Sequence, residues 1–160
     1  MRFSVACWVS VAGRMELHYS PGRTWEATAR ALIGLLQLGD VVDVACGDGV
    51  LAELIAEHAQ RVTCVDISAT VITAARKRLA SLTNVDFCEA DMHQLPLKSQ
   101  AYDHVFLMHA LSYTREPQKA IKEAARLLKP GGYFVIGHSE SLNDISNAVV
   151  PVAPSIYRKP

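Results

Sequence analysis

The chain has 160 residues, half of them apolar and a fifth charged, enough to bury one core and too few for two catalytic domains. Sixteen basic residues balance sixteen acidic ones, so a broad cationic surface for nucleic acid is not the expected engine of function. No apolar run approaches the roughly 20 residues of a membrane span.

Arg2 and residues 3–12, with Ser10-Val11-Ala12 as a cleavage-like tripeptide, have the outline of a secretory start. The stretch is short for one, and an N-terminal helix or extension over 1–18 is expected instead. Ser20-Pro21-Gly22-Arg23-Thr24 reads as a turn with Ser20 or Thr24 as cap. Trp25, Thr28/Ala29, Leu32 and Leu35/Leu36 then recur at the spacing of a buried helical stripe, stopped at Gly39. Residues 41–45 form a short β-branched run, a buried parallel strand by length and flanks. Helical spacing returns over 49–59, and 61–65 reads as a second strand. Ser68 caps a helix through Leu82, and 84–88 is a third strand before a polar loop containing Pro96. Residues 102–108 form a fourth strand. Pro117 opens a helix to about Lys129, Pro130-Gly131-Gly132 ends it, and 133–137 is a fifth strand.

Five alternations of strand and helix predict a single α/β domain over 1–160, a Rossmann-like doubly wound sheet, mostly parallel, with helices on both faces. Residues 139–146 are too short for another crossover helix. Two short strands, 148–152 and 155–158, about a Pro-containing turn predict an antiparallel hairpin, so that 138–160 is a tail completing the sheet. Ligands of such sheets bind beyond the carboxyl ends of the strands, where strand order reverses.

The four cysteines (Cys7, Cys46, Cys64, Cys88) form no C-x-x-C pair, which favours free thiols in a reducing cytoplasm over zinc or disulfide frameworks. His18, His58, His93, His104 and His138 lack metal-ligand spacing and are expected on the surface or in loops, with no metal bound.

The strand ends are more informative. Strand one runs into Asp43-Val44-Ala45-Cys46-Gly47-Asp48-Gly49, where small residues permit a sharp turn and close approach to a ligand. Gly47 to Ala52 also satisfies the loose dinucleotide pattern G-x-G-x-x-[GA], a match that a tight turn without a ligand would equally produce. Asp66 ends strand two, nineteen positions after Gly47, where a carboxylate can accept from both hydroxyls of a ribose or can simply support the Ser68 cap. Glu89-Ala90-Asp91-Met92 follows strand three, and an acid there can accept from an adenine amino group or stand in a solvated loop. Three acids at three successive strand ends outweigh any one alone.

Asp43-x-Ala45-x-Gly47-x-Gly49, Asp66, Asp91-Met92 and Leu128-Lys129-Pro130-Gly131-Gly132 resemble the motif series of class I S-adenosylmethionine-dependent methyltransferases, over about residues 19–133. The resemblance implies that Asp43, Ala45, Cys46, Gly47, Gly49, Asp66, Ile67, Asp91, Met92, Met108 and Tyr19 bind S-adenosylmethionine, with S-adenosylhomocysteine as product. Ala45 stands where the broader pattern often has glycine. Residues 19–26 and 107–111 resemble methyltransferase domains that follow ArsR-type regulators. The tail, 137–142 and 151–159, resembles the end of CheR-type chemotaxis-receptor methyltransferases, which suggests a chimeric chain.

Methyl transfer from a sulfonium is an in-line displacement, so positioning can supply most of the catalysis, and a base is needed only for a protonated acceptor. His109, just after strand four, is the candidate base or acceptor-orienting group, or else a pocket-wall histidine. Tyr113 lines the same pocket or packs. Tyr19, Arg23 and Trp25 form a lid, or Trp25 anchors its helix. The leading expectation is a methyltransferase acting on an unidentified small-molecule or protein acceptor, monomeric or weakly dimeric, away from nucleic acid and membrane. The alternatives are a cofactor-binding scaffold without activity and an NAD-binding oxidoreductase.

Overall fold

Val41, Val42 and Val44 on one strand, and Val62, Cys64 and Val65 on the next, carry apolar side chains on both faces. Such strands are stable only when both faces are covered. The computed structural model describes residues 38–137 and 155–159. In chain order these form β1 (Leu38–Val44), α1 (Val50–Ile55), β2 (Ala59–Asp66), α2 (Ala69–Arg78), β3 (Val85–Glu89), β4 (Tyr102–Met108), α3 (Pro117–Leu127), β5 (Leu128–Gly137) and β6 (Ser155–Arg158). The sheet order is β3-β2-β1-β4-β5-β6. The first five strands run parallel, and β6 pairs antiparallel with β5 through Tyr133↔Arg158 to Ile136↔Ser155.

Side-chain alternation divides the interior into two cores. Val41, Val62, Cys64, Phe106 and Val135 pack with Leu51 and Ile55 of α1 and Ile72 of α2. Val42, Val44, Val65, Val105, Leu107 and Phe134 pack with Ala124 and Leu127 of α3 and with Leu95 of the β3–β4 loop. One helical layer therefore covers each face. Strand order reverses between β1 and β4, and their carboxyl ends open together at that point.

Several expected boundaries move. Gly39 lies inside β1, where a Cβ would crowd the Asp103 carboxylate that accepts from the Asp40 amide at 2.8 Å, and the helix it was expected to stop lies outside the described residues. The helix expected over 49–59 ends at Ile55. A 3₁₀ turn, Ala56–His58, follows it, and Ala59 already belongs to β2. Ser68 does cap α2, its hydroxyl accepting from the Val71 amide, but the helix ends at Arg78 instead of Leu82. The largest change is at α3, which stops at Leu127. Leu128 is extended and pairs with Tyr102, so residues 129–132 bulge within β5 before His104↔Tyr133 restores the register. Gly131 supplies the positive φ (82°) that this bulge requires. The first arm of the expected hairpin, 148–152, lies outside the described residues, as do 1–18, Tyr19, Arg23, Trp25 and the predicted helix after Thr24. Among the described residues no helix is long and apolar enough to cross a membrane.

His104 corrects another expectation. It is 5% exposed, inside β4, and stacks on Tyr133 with centroids 5.6 Å apart. Burial pushes its pKa down, opposed by the Asp103 charge, so the imidazole is a neutral core group and not a surface histidine.

Candidate functional site

A cavity of about 510 Å³ opens at the carboxyl ends of β1, β2, β3 and β4. The turn after β1 is built on three positive φ values: Ala45 (58°), Gly47 (57°) and Gly49 (85°). Alanine in this region costs about 1 kcal/mol, the physical reason glycine suits position 45. The Cys46 amide donates to the Val65 carbonyl (2.9 Å) and the Gly47 amide to Asp66 Oδ2 (3.2 Å), so the loop hangs from the end of β2. Asp43, Ala45, Cys46 and Gly47 line the cavity. Gly49 does not. It precedes α1, where a Cβ would meet Leu79 Cδ1 at 2.7 Å, so its part is to let the loop and α2 approach closely.

Asp43 is the most informative residue. It is 1% exposed, lines the cavity, and its Oδ2 has no hydrogen-bond partner among the described residues. Burial, and secondarily the Asp66 charge, push its pKa up to about 8. A buried carboxyl with an unmet oxygen beside a cavity is costly unless a ligand supplies a donor or a cation. The Cys46 thiol beside it is raised well above the usual thiol range, by its contact with the Cys64 thiol and then by burial. It is therefore no thiolate nucleophile.

Asp66 also lines the cavity. Besides the Gly47 amide it accepts from the Ser68 amide at 3.0 Å. Burial raises its pKa, opposed by the amides of Ser68, Gly47 and Ile67. The carboxylate thus braces the β1–α1 loop and keeps lone pairs for further donors. Ile67, 57% exposed, adds an apolar surface to the same wall. Asp91 and Met92 reach the cavity from the β3 side, and Met108 and His109 from the end of β4. The backbone of His109 is left-handed (φ 57°), and its amide donates to the Gly137 carbonyl at 2.9 Å, which fixes the sharp exit from β4. Tyr113, 41% exposed, borders the cavity together with Thr114, Arg115 and Glu116.

Two contributors escaped the sequence reading. Asp48, 1% exposed, pairs with Arg78 at 3.3 Å, and Arg78 also pairs with Glu53 at 3.2 Å, locking the loop to the end of α2. The run Arg76-Lys77-Arg78 at that helix end was the available signal, since cations favour the last turn. His93 is no free surface group: it lines the cavity and bridges Asp91 and Thr114. Among the described residues no three His, Cys, Asp or Glu side chains gather as a metal site.

Residues 42–136 match the family model described as "Methyltransferase domain". The ubiquinone biosynthesis O-methyltransferase of Coxiella burnetii is 37% identical over 93 residues, 58% of this chain and 40% of that protein. The ubiquinone/menaquinone biosynthesis C-methyltransferase UbiE of Bartonella quintana is 31% identical over 145 residues, 84% of this chain and 53% of that one. Among solved structures, the N-methyltransferase NodS of Bradyrhizobium japonicum WM9, in complex with S-adenosylhomocysteine, aligns with TM-score 0.70 at 20% identity. The alignment covers 81% of this chain and 70% of that one, a likeness of fold. The chain spans about two fifths to one half of the length of these curated relatives.

Proposed function

Because the chain belongs to the methyltransferase domain family, we propose that it binds S-adenosylmethionine at the strand-end cavity and passes the methyl group to an acceptor, leaving S-adenosylhomocysteine. The observation that carries this reading is the buried Asp43 carboxyl with an unmet oxygen at the cavity. A cofactor bearing an ammonium and a sulfonium supplies the missing cation. The bound cofactor contributes an electrophilic methyl on a neutral leaving group.

The chain's own residues bind and orient. Asp66 retains acceptor capacity for vicinal hydroxyls, Ile67 and Met92 offer apolar surface for a ring, and Asp91 offers an acceptor at its edge. His109, Met108 and Tyr113 line the side where an acceptor would approach; both ring nitrogens of His109 are buried, so a base role for it requires the side chain to turn toward a bound acceptor. Tyr19 belongs to this reading through the motif resemblance alone. So do the finer likenesses to ArsR-regulator-linked domains over 19–26 and 107–111 and to the CheR-type tail, with the chimeric origin they suggest. The free thiols Cys46, Cys64 and Cys88 support a reducing, cytoplasmic setting. A monomer or weak dimer, acting without nucleic acid or membrane, completes the proposal.

Thermal melts with S-adenosylmethionine, S-adenosylhomocysteine and NAD in parallel test it, since a ligand of the native state raises apparent stability by RT ln(1 + [L]/Kd). At a hundredfold excess over Kd the gain is about 2.7 kcal/mol. A shift with both sulfur ligands is expected, and a shift with NAD alone overturns the reading. The relatives' names make intermediates of ubiquinone and menaquinone biosynthesis the first acceptors to try with labelled methyl donor. Binding without transfer to any acceptor would leave a scaffold.

A further inference from the structure

Three side chains and one amide form a continuous chain along the cavity wall. His93 Nδ1 lies 2.5 Å from Asp91 Oδ1, and the His93 amide donates to the same oxygen at 2.8 Å. On the far side of the ring, Nε2 lies 2.6 Å from Thr114 Oγ1. Thr114 Oγ1 accepts from the Glu116 amide at 3.0 Å, at the threshold of α3. The directions are mutually consistent. Nδ1–H donates to the carboxylate, the Thr114 hydroxyl donates to Nε2, and its oxygen receives the Glu116 N–H. The imidazole thus ties the loop after β3 to the segment after β4, and all four residues line the cavity.

Asp91 itself stands on a loop, with its side chain 52% exposed. Among the described residues every hydrogen bond its carboxylate accepts falls on Oδ1, from His93. Those bonds, the amide first, hold its pKa below the usual carboxylate range, so it is an anion with Oδ2 left to accept.

We propose that His93 is a positioning residue: it fixes the Asp91 carboxylate so that Oδ2 discriminates a ligand ring carrying an amino group from one carrying an oxo group. The inference rests on the cofactor reading above. An exocyclic amine donates to a fixed carboxylate, whereas a carbonyl placed there repels it. The donor–acceptor mismatch makes discrimination larger than one lost bond.

The test is calorimetric titration with S-adenosylhomocysteine and its deaminated analogue S-inosylhomocysteine, on the wild type, His93→Ala, His93→Asn and Thr114→Val. Wild type should prefer the amino ligand by roughly tenfold to a hundredfold. His93→Ala should shrink that preference to within about threefold, and His93→Asn, whose amide can still donate to Asp91, should restore part of it. Thr114→Val leaves carboxylate and imidazole in place and carries the same comparison if His93→Ala does not fold: a preference lowered about threefold supports the role, and an unchanged one overturns it. A folded His93→Ala that binds both ligands more weakly by one common factor reduces His93 to a structural brace. Wild type that binds the amino ligand without preferring it overturns the inference and spares the cofactor reading. Wild type that binds neither overturns both.

Discussion

Asp43 shows how one residue can trade stability for binding. Its carboxyl titrates near pH 8 in the ligand-free fold, against 3.8 as the ordinary value, chiefly through burial. A folded pKa raised above the unfolded one means that the protonated acid fits the fold best. The stabilisation is whole below about pH 4 and is lost as pH climbs from there toward 8. A cation binds the carboxylate, so cofactor binding at pH 7 must expel a proton, and affinity should rise with pH until it levels near 8. Asp43→Asn keeps the shape and abolishes the charge. The variant should gain on the order of 3 kcal/mol over wild type at pH 8, gain almost nothing at pH 4, and lose at least about tenfold in affinity for S-adenosylmethionine. Melts at the two pH values, with calorimetry in two buffers of different ionisation enthalpy, measure both halves. A Tm difference independent of pH would show that the acid is not protonated in the fold. The motif spacing made Asp43 legible in the sequence. It could not reveal the strained φ of Ala45 and His109, because neither residue type announces a left-handed backbone as glycine does.

Helix α3 displays the same contrast at the scale of an element. Its start was readable, since Pro117 at the first turn and the buried face Ala120, Ala124 and Leu127 obey local rules. Its end was not, because the chain leaves the helix for pairings remote in sequence: Leu128 opposite Tyr102, and Lys129 against Asp103 at 2.8 Å. Equally invisible was the work of Arg126. Its guanidinium donates to the carbonyls of Leu95 and Leu97, to Ser99 Oγ and to Glu123, whose carboxylate accepts from the Leu95 amide. The β3–β4 loop, which carries Asp91, is therefore strapped to α3 through a planar fork. Lysine has the charge without the fork. Arg126→Lys should lose at least two of these bonds and about 2 kcal/mol of stability, with faster hydrogen exchange at the Leu95 amide. Unaltered melting and exchange would mean that Leu95, buried in the core, holds the loop alone.

At the scale of the molecule, five parallel strands leave β5 as an edge, and a short β6 covers it. The alternation of strand and helix made the parallel sheet legible, whereas closure of its edge depends on four paired positions and the residue that follows them. Lys159 is that residue. Its amide donates to the Gly132 carbonyl and its carbonyl accepts from the Gly131 amide, so the β5 bulge is stitched to the tail. Its ammonium reaches the Ala125 carbonyl at 3.0 Å and the Leu128 carbonyl at 2.8 Å, satisfying acceptors where α3 ends and β5 begins. The tail therefore supports an edge strand, a bulge and a helix terminus. Deleting 155–160 exposes the backbone of Tyr133 to Ile136 to pairing with other chains. The truncated chain should aggregate on expression or melt without cooperativity, as judged by size-exclusion chromatography and circular dichroism. Lys159→Ala removes only the ammonium and should stay folded with a loss of about 1–2 kcal/mol, because two charge-assisted bonds at a partly exposed site vanish. Both chains should be assayed for S-adenosylhomocysteine binding, and the point variant should bind like wild type, since none of its contacts touches a cavity residue. A truncated chain that remains monomeric and melts as one cooperative unit would show that β5 tolerates a bare edge and that β6 is an accessory to the fold.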